Sequence, residues 1–224
     1  MIKAVLYDMD GTVLDTMPIY ERAWAYADKM LGCGGRLVAM IPHISGMNNN
    51  DCKTYVLSIM GEDFPYAEFR QLMRGKMADI IAAEGITCKA GAPEIFDTLR
   101  SMGIKQVLVT SSPPKAVHPY LESVGLTDAF DGIITGDMVV HGKPDPEIFL
   151  LGAKLAGCEP QECVVVEDAF NGARAGIAGG MLTVMIPEYP PIPEDVAAGL
   201  WHECRSLAEL SGLIKEYNRT KQEE

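Results

Sequence analysis

Four short stretches of the chain bring together acids, hydroxyls and one lysine in spacings that could do chemistry. Asp8-Met9-Asp10-Gly11-Thr12 closes an aliphatic run, and residues two apart on an extended chain point to the same side, so the two carboxylates project together. Carboxylates this close are costly to ionise together unless a cation lies beside them, and hard oxygen ligands suit Mg²⁺. Taken alone, two aspartates before Gly11 fit turn capping equally well. Thr110-Ser111-Ser112 precedes Pro113-Pro114 at a helix start, where free N–H groups can hold phosphate oxygens, although by itself an ordinary cap explains it better. Gly142-Lys143-Pro144-Asp145-Pro146 fixes one lysine between turn formers, which alone is unremarkable. Glu167-Asp168, followed by Asn171-Gly172, is a second acidic pair that calls for a metal. Structural caps explain any one of these stretches, but not four at one sheet edge.

The elements that must position them are legible as five runs of aliphatic and β-branched residues, at 2 to 7, 104 to 110, 132 to 135, 163 to 167 and 182 to 186. Each is nearly continuous in apolar character, as in strands covered on both faces. Between the later runs the periodicity is helical, for example at Ile148, Leu151 and Leu155. That alternation predicts an α/β fold, a Rossmann-like doubly wound parallel sheet, with its ligand crevice at the carboxyl ends of the strands. The long stretch between the first two runs exceeds any usual crossover and carries helical patterns at 17 to 31, 49 to 60 and 66 to 83. It predicts an inserted all-helical cap domain over 16–89, with the core formed by 1–15 plus 90–224. The borders fall at Asp15-Thr16-Met17-Pro18 and Ala90-Gly91-Ala92-Pro93, both suited to hinge motion. Pro187 to Pro193 is expected as a stiff surface loop, and Arg219 to Glu224 as a frayed polar tail.

Composition narrows the class further. With 224 residues at about 150 per domain, one large unit or a core with a smaller insert is expected. The chain is 48% hydrophobic and 22% charged, which excludes disorder and collagen. Its net charge of -12 repels nucleic acid and anionic membranes in the absence of a basic stripe, so neither is expected as a partner, and a small anionic ligand then needs a bound cation or a few placed basic groups. The six cysteines form no CxxC pair and fit buried thiols in a reducing cytosol. No apolar run is long enough for a membrane span, and the first residues lack the apolar segment of a signal peptide. A cytoplasmic monomer is expected.

The chain resembles the haloacid dehalogenase superfamily, in the branch of phosphatases and sugar-phosphate mutases with a helical cap after the first strand. Asp8-x-Asp10-Gly11-Thr12-x-x-x-Asp15 is similar to the first motif, Thr110 to the second, Lys143 in its Gly-Lys-Pro-Asp-Pro setting to the third and Glu167-Asp168 to the fourth. Ala169 stands where many members carry Ser. The resemblance implies Asp8 as nucleophile, forming an aspartyl-phosphate, and Asp10 as general acid and base. It implies Mg²⁺ held by Asp8, Asp10 through its backbone carbonyl, Glu167 and Asp168, with Thr110, Ser111 and Lys143 on the phosphoryl oxygens. The substrate is expected to be a small phosphorylated metabolite read by the cap, where Tyr20, Arg22, Trp24, Asn48, Asn49, Lys53 and Lys76 are candidates; Trp24 fits core packing better, and single Lys and Arg residues are usually solvated. The four histidines share no ligand spacing.

Three alternatives compete. A phosphoacceptor signalling domain carries its acidic pair on the first strand, the reverse of the order here, and has no helical insert. A non-catalytic binding module has no need of the complete set of reactive groups. A sugar-phosphate mutase is the nearest alternative, but it needs a cationic anchor for a second phosphate, and Gly46-Met47-Asn48-Asn49-Asn50 offers neutral amides where one is expected.

Overall fold

The computed structural model describes residues 1–223. The chain runs β1 (Ala4–Tyr7), α1 (Met17–Met30), α2 (Ile41–Ile44), α3 (Asn49–Met60), α4 (Tyr66–Glu84), α5 (Ala92–Ser101), β2 (Lys105–Val109), α6 (Pro114–Ser123) and β3 (Gly132–Ile134). It continues through α7 (Glu147–Ala156), β4 (Cys163–Glu167), α8 (Phe170–Ala178), β5 (Leu182–Met185), α9 (Glu194–Ala197), β6 (His202–Glu203) and α10 (Leu210–Glu223). All strands are parallel, in the order β3-β2-β1-β4-β5-β6. From β1 the chain moves outward to β2 and β3, then returns to lay β4 on the other side of β1. The strand order reverses there, and that is where open α/β sheets form their ligand crevice.

The strands are apolar on both faces because each face is covered. Val5, Tyr7, Leu108, Val164 and Val166 pack with Phe96, Leu99, Leu121 and Ile214 from α5, α6 and α10. Their alternate neighbours Leu6, Val107, Val109 and Val165 pack with Ile148, Phe149, Ala153 and Ala175 from α7 and α8. Proline in the first turn starts α1, α5 and α6, where its missing N–H has no partner to lose.

α1 to α4 form the helical cap, with its own core of Trp24, Leu37, Ile41, Val56, Phe69 and Met73. Trp24 is fully buried there, with its ring centroid 4.7 Å from that of Phe69. The two segments joining cap and core run side by side. Asp15 N–H donates to Thr87 O at 2.8 Å, and Lys89 N–H donates to Val13 O at 2.9 Å.

Several features depart from the sequence-based expectation. β6 was not foreseen: it is two residues long, polar and exposed, and so gives no apolar run to read. The stretch expected as a frayed tail from Arg219 to Glu224 is helical through Glu223, because Leu210 and Ile214 anchor α10 in the core, and Asn218 Oδ1 accepts from Ile2 N–H at 2.6 Å; Glu224 lies outside the described residues. The short helix α2 was likewise unread.

Candidate active site

The carboxyl ends of β1, β2 and β4, with the loop after β3, converge beneath the cap. Asp8 follows β1, Thr110 follows β2, Glu167 ends β4 with Asp168 next in line, and Lys143 comes from the loop before α7. All five are buried. Lys143 Nζ donates to Asp8 Oδ1 at 2.5 Å and to Glu167 Oε1 at 2.6 Å, and stands 4.8 Å from the centroid of the Phe149 ring. Burial alone would lower the Lys143 ammonium pKa, but the two carboxylates more than offset it and hold the group above the ordinary lysine range.

One ammonium does not balance the carboxylates gathered here. One oxygen from each of Asp8, Glu167 and Asp168 lies within 4.8 Å of the others. Thr12 Oγ1 donates to Asp168 Oδ1 at 2.9 Å, whereas Asp168 Oδ2 is buried without a hydrogen bond. Burial, followed by the charges of Glu167 and Asp8, pushes the Asp168 carboxyl well above its ordinary range. Burial also raises Glu167, with Lys143 opposing. A buried all-oxygen cluster with an orphaned lone pair is the donor set of a hard divalent cation, and Mg²⁺ fits it. Glycine is required around the cluster: at Gly11, with φ +90°, a Cβ would collide with the Asp168 carboxylate.

Asp10 is held separately from this triad. Thr16 Oγ1 donates to its Oδ1 at 2.9 Å, and Ser112 Oγ donates to its Oδ2 at 2.7 Å. Burial first, and then the Asp8 charge, raises the Asp10 carboxyl, while the two hydroxyls pull it down. Thr16 lies at the entrance to the cap, so Asp10 is tied to the joint between cap and core. Thr110 Oγ1 accepts from Ser112 N–H at 3.0 Å.

Above this floor lies a cavity of about 360 Å³ between core and cap. Asp8, Asp10, Thr110, Ser111 and Asp168 line its lower side, and Tyr20, Asn48 and Asn49 line it from the cap. Arg22, Lys53 and Lys76 are elsewhere. Arg22 makes a bidentate pair with Glu84 at 2.6 and 2.7 Å, Lys76 stands over the Tyr26 ring and Lys53 is exposed. The charged groups of the cap that do line the cavity are Arg70 and Arg74 on α4, and Lys115 from α6 lines it as well. Arg70 Nη2 donates to Asn49 Oδ1 at 2.5 Å. These residues were missed in the sequence, although Arg70, Met73, Arg74, Met77 and Ala78 follow the i, i+3, i+4, i+7, i+8 spacing of one helix face, and all five line the cavity. Lys76, two residues past Arg74, is turned roughly 200° away.

Comparison with known proteins agrees with this architecture. Residues 2–180 match the model of the haloacid dehalogenase-like hydrolases. The chain belongs to that family and is an enzyme of its phosphatase type. Hexitol phosphatase A of Escherichia coli (strain K12) is 34% identical over 184 residues, 82% of each chain. A fructose-1-phosphate phosphatase of the same strain is 31% identical over 183 residues, 79% of this chain and 92% of that one. Among solved structures, beta-phosphoglucomutase from Clostridium difficile shares the fold with a TM-score of 0.78 at 23% identity, over 98% of this chain and 99% of the other. Among the described residues no helix is long and apolar enough to cross a membrane.

Proposed function

We propose that the enzyme hydrolyses a small phosphorylated sugar or polyol with Mg²⁺ through an aspartyl-phosphate on Asp8. The observation that carries this reading is the buried triad of Asp8, Glu167 and Asp168, short by at least one positive charge, of which Asp8 and Asp168 line the cavity together with Asp10. Asp8, Glu167, Asp168 and the Asp10 backbone carbonyl would hold the cation. When bound, Mg²⁺ supplies charge neutralisation for the phosphoryl oxygens. An Asp8 oxygen attacks phosphorus as the ester P–O bond breaks, and Asp10 gives the leaving oxygen its proton. Water then attacks the acyl phosphate, Asp10 takes a proton from it, and the P–O bond to Asp8 breaks to release inorganic phosphate. Lys143, expected on the phosphoryl oxygens, is paired with Asp8 and Glu167 and outside the cavity lining, so on this reading it holds Asp8 in line, while Thr110 and the Ser111 N–H receive phosphoryl oxygens.

Tyr20, Asn48, Asn49, Arg70 and Arg74 are the cap groups within reach of the leaving group. The names of the relatives, a hexitol phosphatase and a fructose-1-phosphate phosphatase, support a polyhydroxylated one. We further read residues 16–89 as the cap and 1–15 plus 90–224 as the core, and the enzyme as a cytoplasmic monomer, which its free cysteines suit.

One observation favours a second reading. The cap face is not neutral, as its amides alone suggest, because Arg70 and Arg74 line it, and paired guanidinium groups suit the second phosphate of a mutase intermediate. A screen of sugar and polyol phosphates, with β-glucose 1-phosphate plus catalytic glucose 1,6-bisphosphate as one arm, separates the two. Phosphate release from a monophosphate is expected to dominate; isomerisation outrunning phosphate release assigns the mutase.

A further inference from the structure

The turn from His43 to Asn48, where α2 ends and α3 begins, lies against the core. The last carbonyls of a helix have no intrahelical donor and must find one elsewhere. Ile44 C=O accepts from Met47 N–H at 3.0 Å within the turn. The others look across to the core: Asn171 Nδ2 donates to both His43 O and Ser45 O at 3.0 Å, and Ser111 Oγ donates to Gly46 O at 2.9 Å. Four successive carbonyls are thus satisfied, three of them by core side chains. Asn171 is 7% exposed, with both hydrogens of its amide committed to the cap. Gly46, at φ +82°, lets the backbones approach closely: a Cβ there would press on Ala169 Cβ at 3.3 Å and Gly172 N at 3.4 Å.

These core groups belong to the loops that carry the reacting residues. Asn171 stands three residues past Asp168 in the first turn of α8, and Ser111 follows Thr110. On the cap side the turn ends in Met47 and Asn48, both of which line the cavity. Asn48 Oδ1 also caps α3, accepting from the N–H groups of Asn50 and Asp51 at 2.9 Å.

We propose that Asn171 is a positioning residue whose two hydrogen bonds, helped by the Ser111 hydroxyl, latch the His43 to Asn48 turn onto the core and so set the wall that reads the leaving group. Asn171 itself lies outside the cavity lining. Lifting the cap exchanges these bonds for bonds to water, so the net stabilisation is modest, as a latch that opens in every cycle requires. The consequence for turnover rests on the phosphatase reading above; the consequence for the turn does not.

The test uses the full-length enzyme with Asn171→Ala and with Asn171→Leu, which keeps the side-chain volume. Hydrogen exchange is followed by mass spectrometry in peptides spanning 41–56, with β4 as internal control. In both variants the amides of the turn and of the start of α3 should exchange about tenfold faster, with β4 unchanged. In parallel, kcat and KM are measured for acetyl phosphate, whose leaving group is small, and for the best sugar or polyol phosphate from the screen. The ratio of kcat/KM for the larger substrate to that for acetyl phosphate should fall at least fivefold, mainly through KM. Unchanged exchange overturns the latch, and faster exchange that includes β4 in both variants overturns it in favour of a global role. Faster exchange confined to the turn, with equal losses on both substrates, overturns the role in discrimination. A wild-type enzyme that hydrolyses neither compound refutes the phosphatase reading, and the exchange comparison still decides the latch.

Discussion

The floor and the roof of the cavity are built on opposite physical plans. At and beneath the floor, Lys143, Glu167 and Asp168 are at most 1% exposed; Lys143 and Glu167 are held by a short charged contact, and Asp168 by the Thr12 hydroxyl on one of its oxygens. The roof offers Met47, Met73 and Met77 with half-buried or exposed Arg70, Arg74 and Asn49. Thioether side chains adapt to varied shapes, and exposed guanidinium groups are screened by water, so the roof can accommodate a leaving group without fixing it rigidly. Buried charges on the floor leave no such freedom, since each is tolerable only with its partners in place. Under the proposed function, the difference teaches that the reaction, which needs fixed charge, is separated from recognition, which needs adaptable surface.

The largest expected effect falls on the floor. Chelation should abolish phosphatase activity and added Mg²⁺ should restore it, since the triad carries more negative charge than Lys143 neutralises; full activity in excess chelator breaks the metal assignment. Next, Lys143→Met should lower kcat by about a thousandfold and, without Mg²⁺, destabilise the protein by about 3 kcal/mol in urea unfolding, because it leaves buried carboxylates without their cation. Mg²⁺ should recover part of that stability. A stable, active Lys143→Met enzyme would show that the floor is not the constrained region described here.

On the roof the effects should be smaller and of another kind. Arg70→Ala and Arg74→Ala should each reduce kcat/KM for the best sugar or polyol phosphate about tenfold, mostly through KM, while leaving acetyl phosphate within about twofold. Equal losses on both substrates would erase the distinction between floor and roof. Smallest is Ser112→Ala. The Ser112 hydroxyl stabilises ionised Asp10, so its removal should raise the Asp10 pKa further and move the alkaline limb of the kcat/KM profile to higher pH, the proton on Asp10 being needed for the first step. A shift to lower pH would contradict the assignment of Asp10 as the acid.

The same contrast explains what the sequence disclosed. Asp8, Asp10, Thr110, Glu167 and Asp168 each sit at or just beyond the end of a short apolar run, so local pattern both predicts the strand and marks the edge where its next side chains meet. Lys143, unremarkable among its turn formers, is readable only from its place in order between the hydroxyl stretch at 110–112 and the acidic pair at 167–168. Roof residues carry no such mark. On α4 the positive charges at 70, 74 and 76 resemble one solvated face until the helical rotation is taken with the buried Phe69, Met73 and Ile80, which places Arg70 and Arg74 beside the cavity and Lys76 away from it. Arg22 was indistinguishable in sequence from a substrate ligand, because its Glu84 partner lies 62 positions away. The β6 strand was invisible because edge pairing of two polar residues leaves no periodicity.

The central claim, that Asp8 takes the phosphoryl group and Asp10 moves the protons, is tested most directly by trapping the phosphoenzyme. The enzyme is mixed with ³²P-labelled acetyl phosphate and Mg²⁺, quenched in acid within milliseconds and mapped by mass spectrometry. Label should appear on the peptide containing Asp8, be absent in Asp8→Asn, and persist far longer in Asp10→Asn, which lacks the base for hydrolysis. Label retained at full level in Asp8→Asn, or mapped to any other residue, would contradict the account.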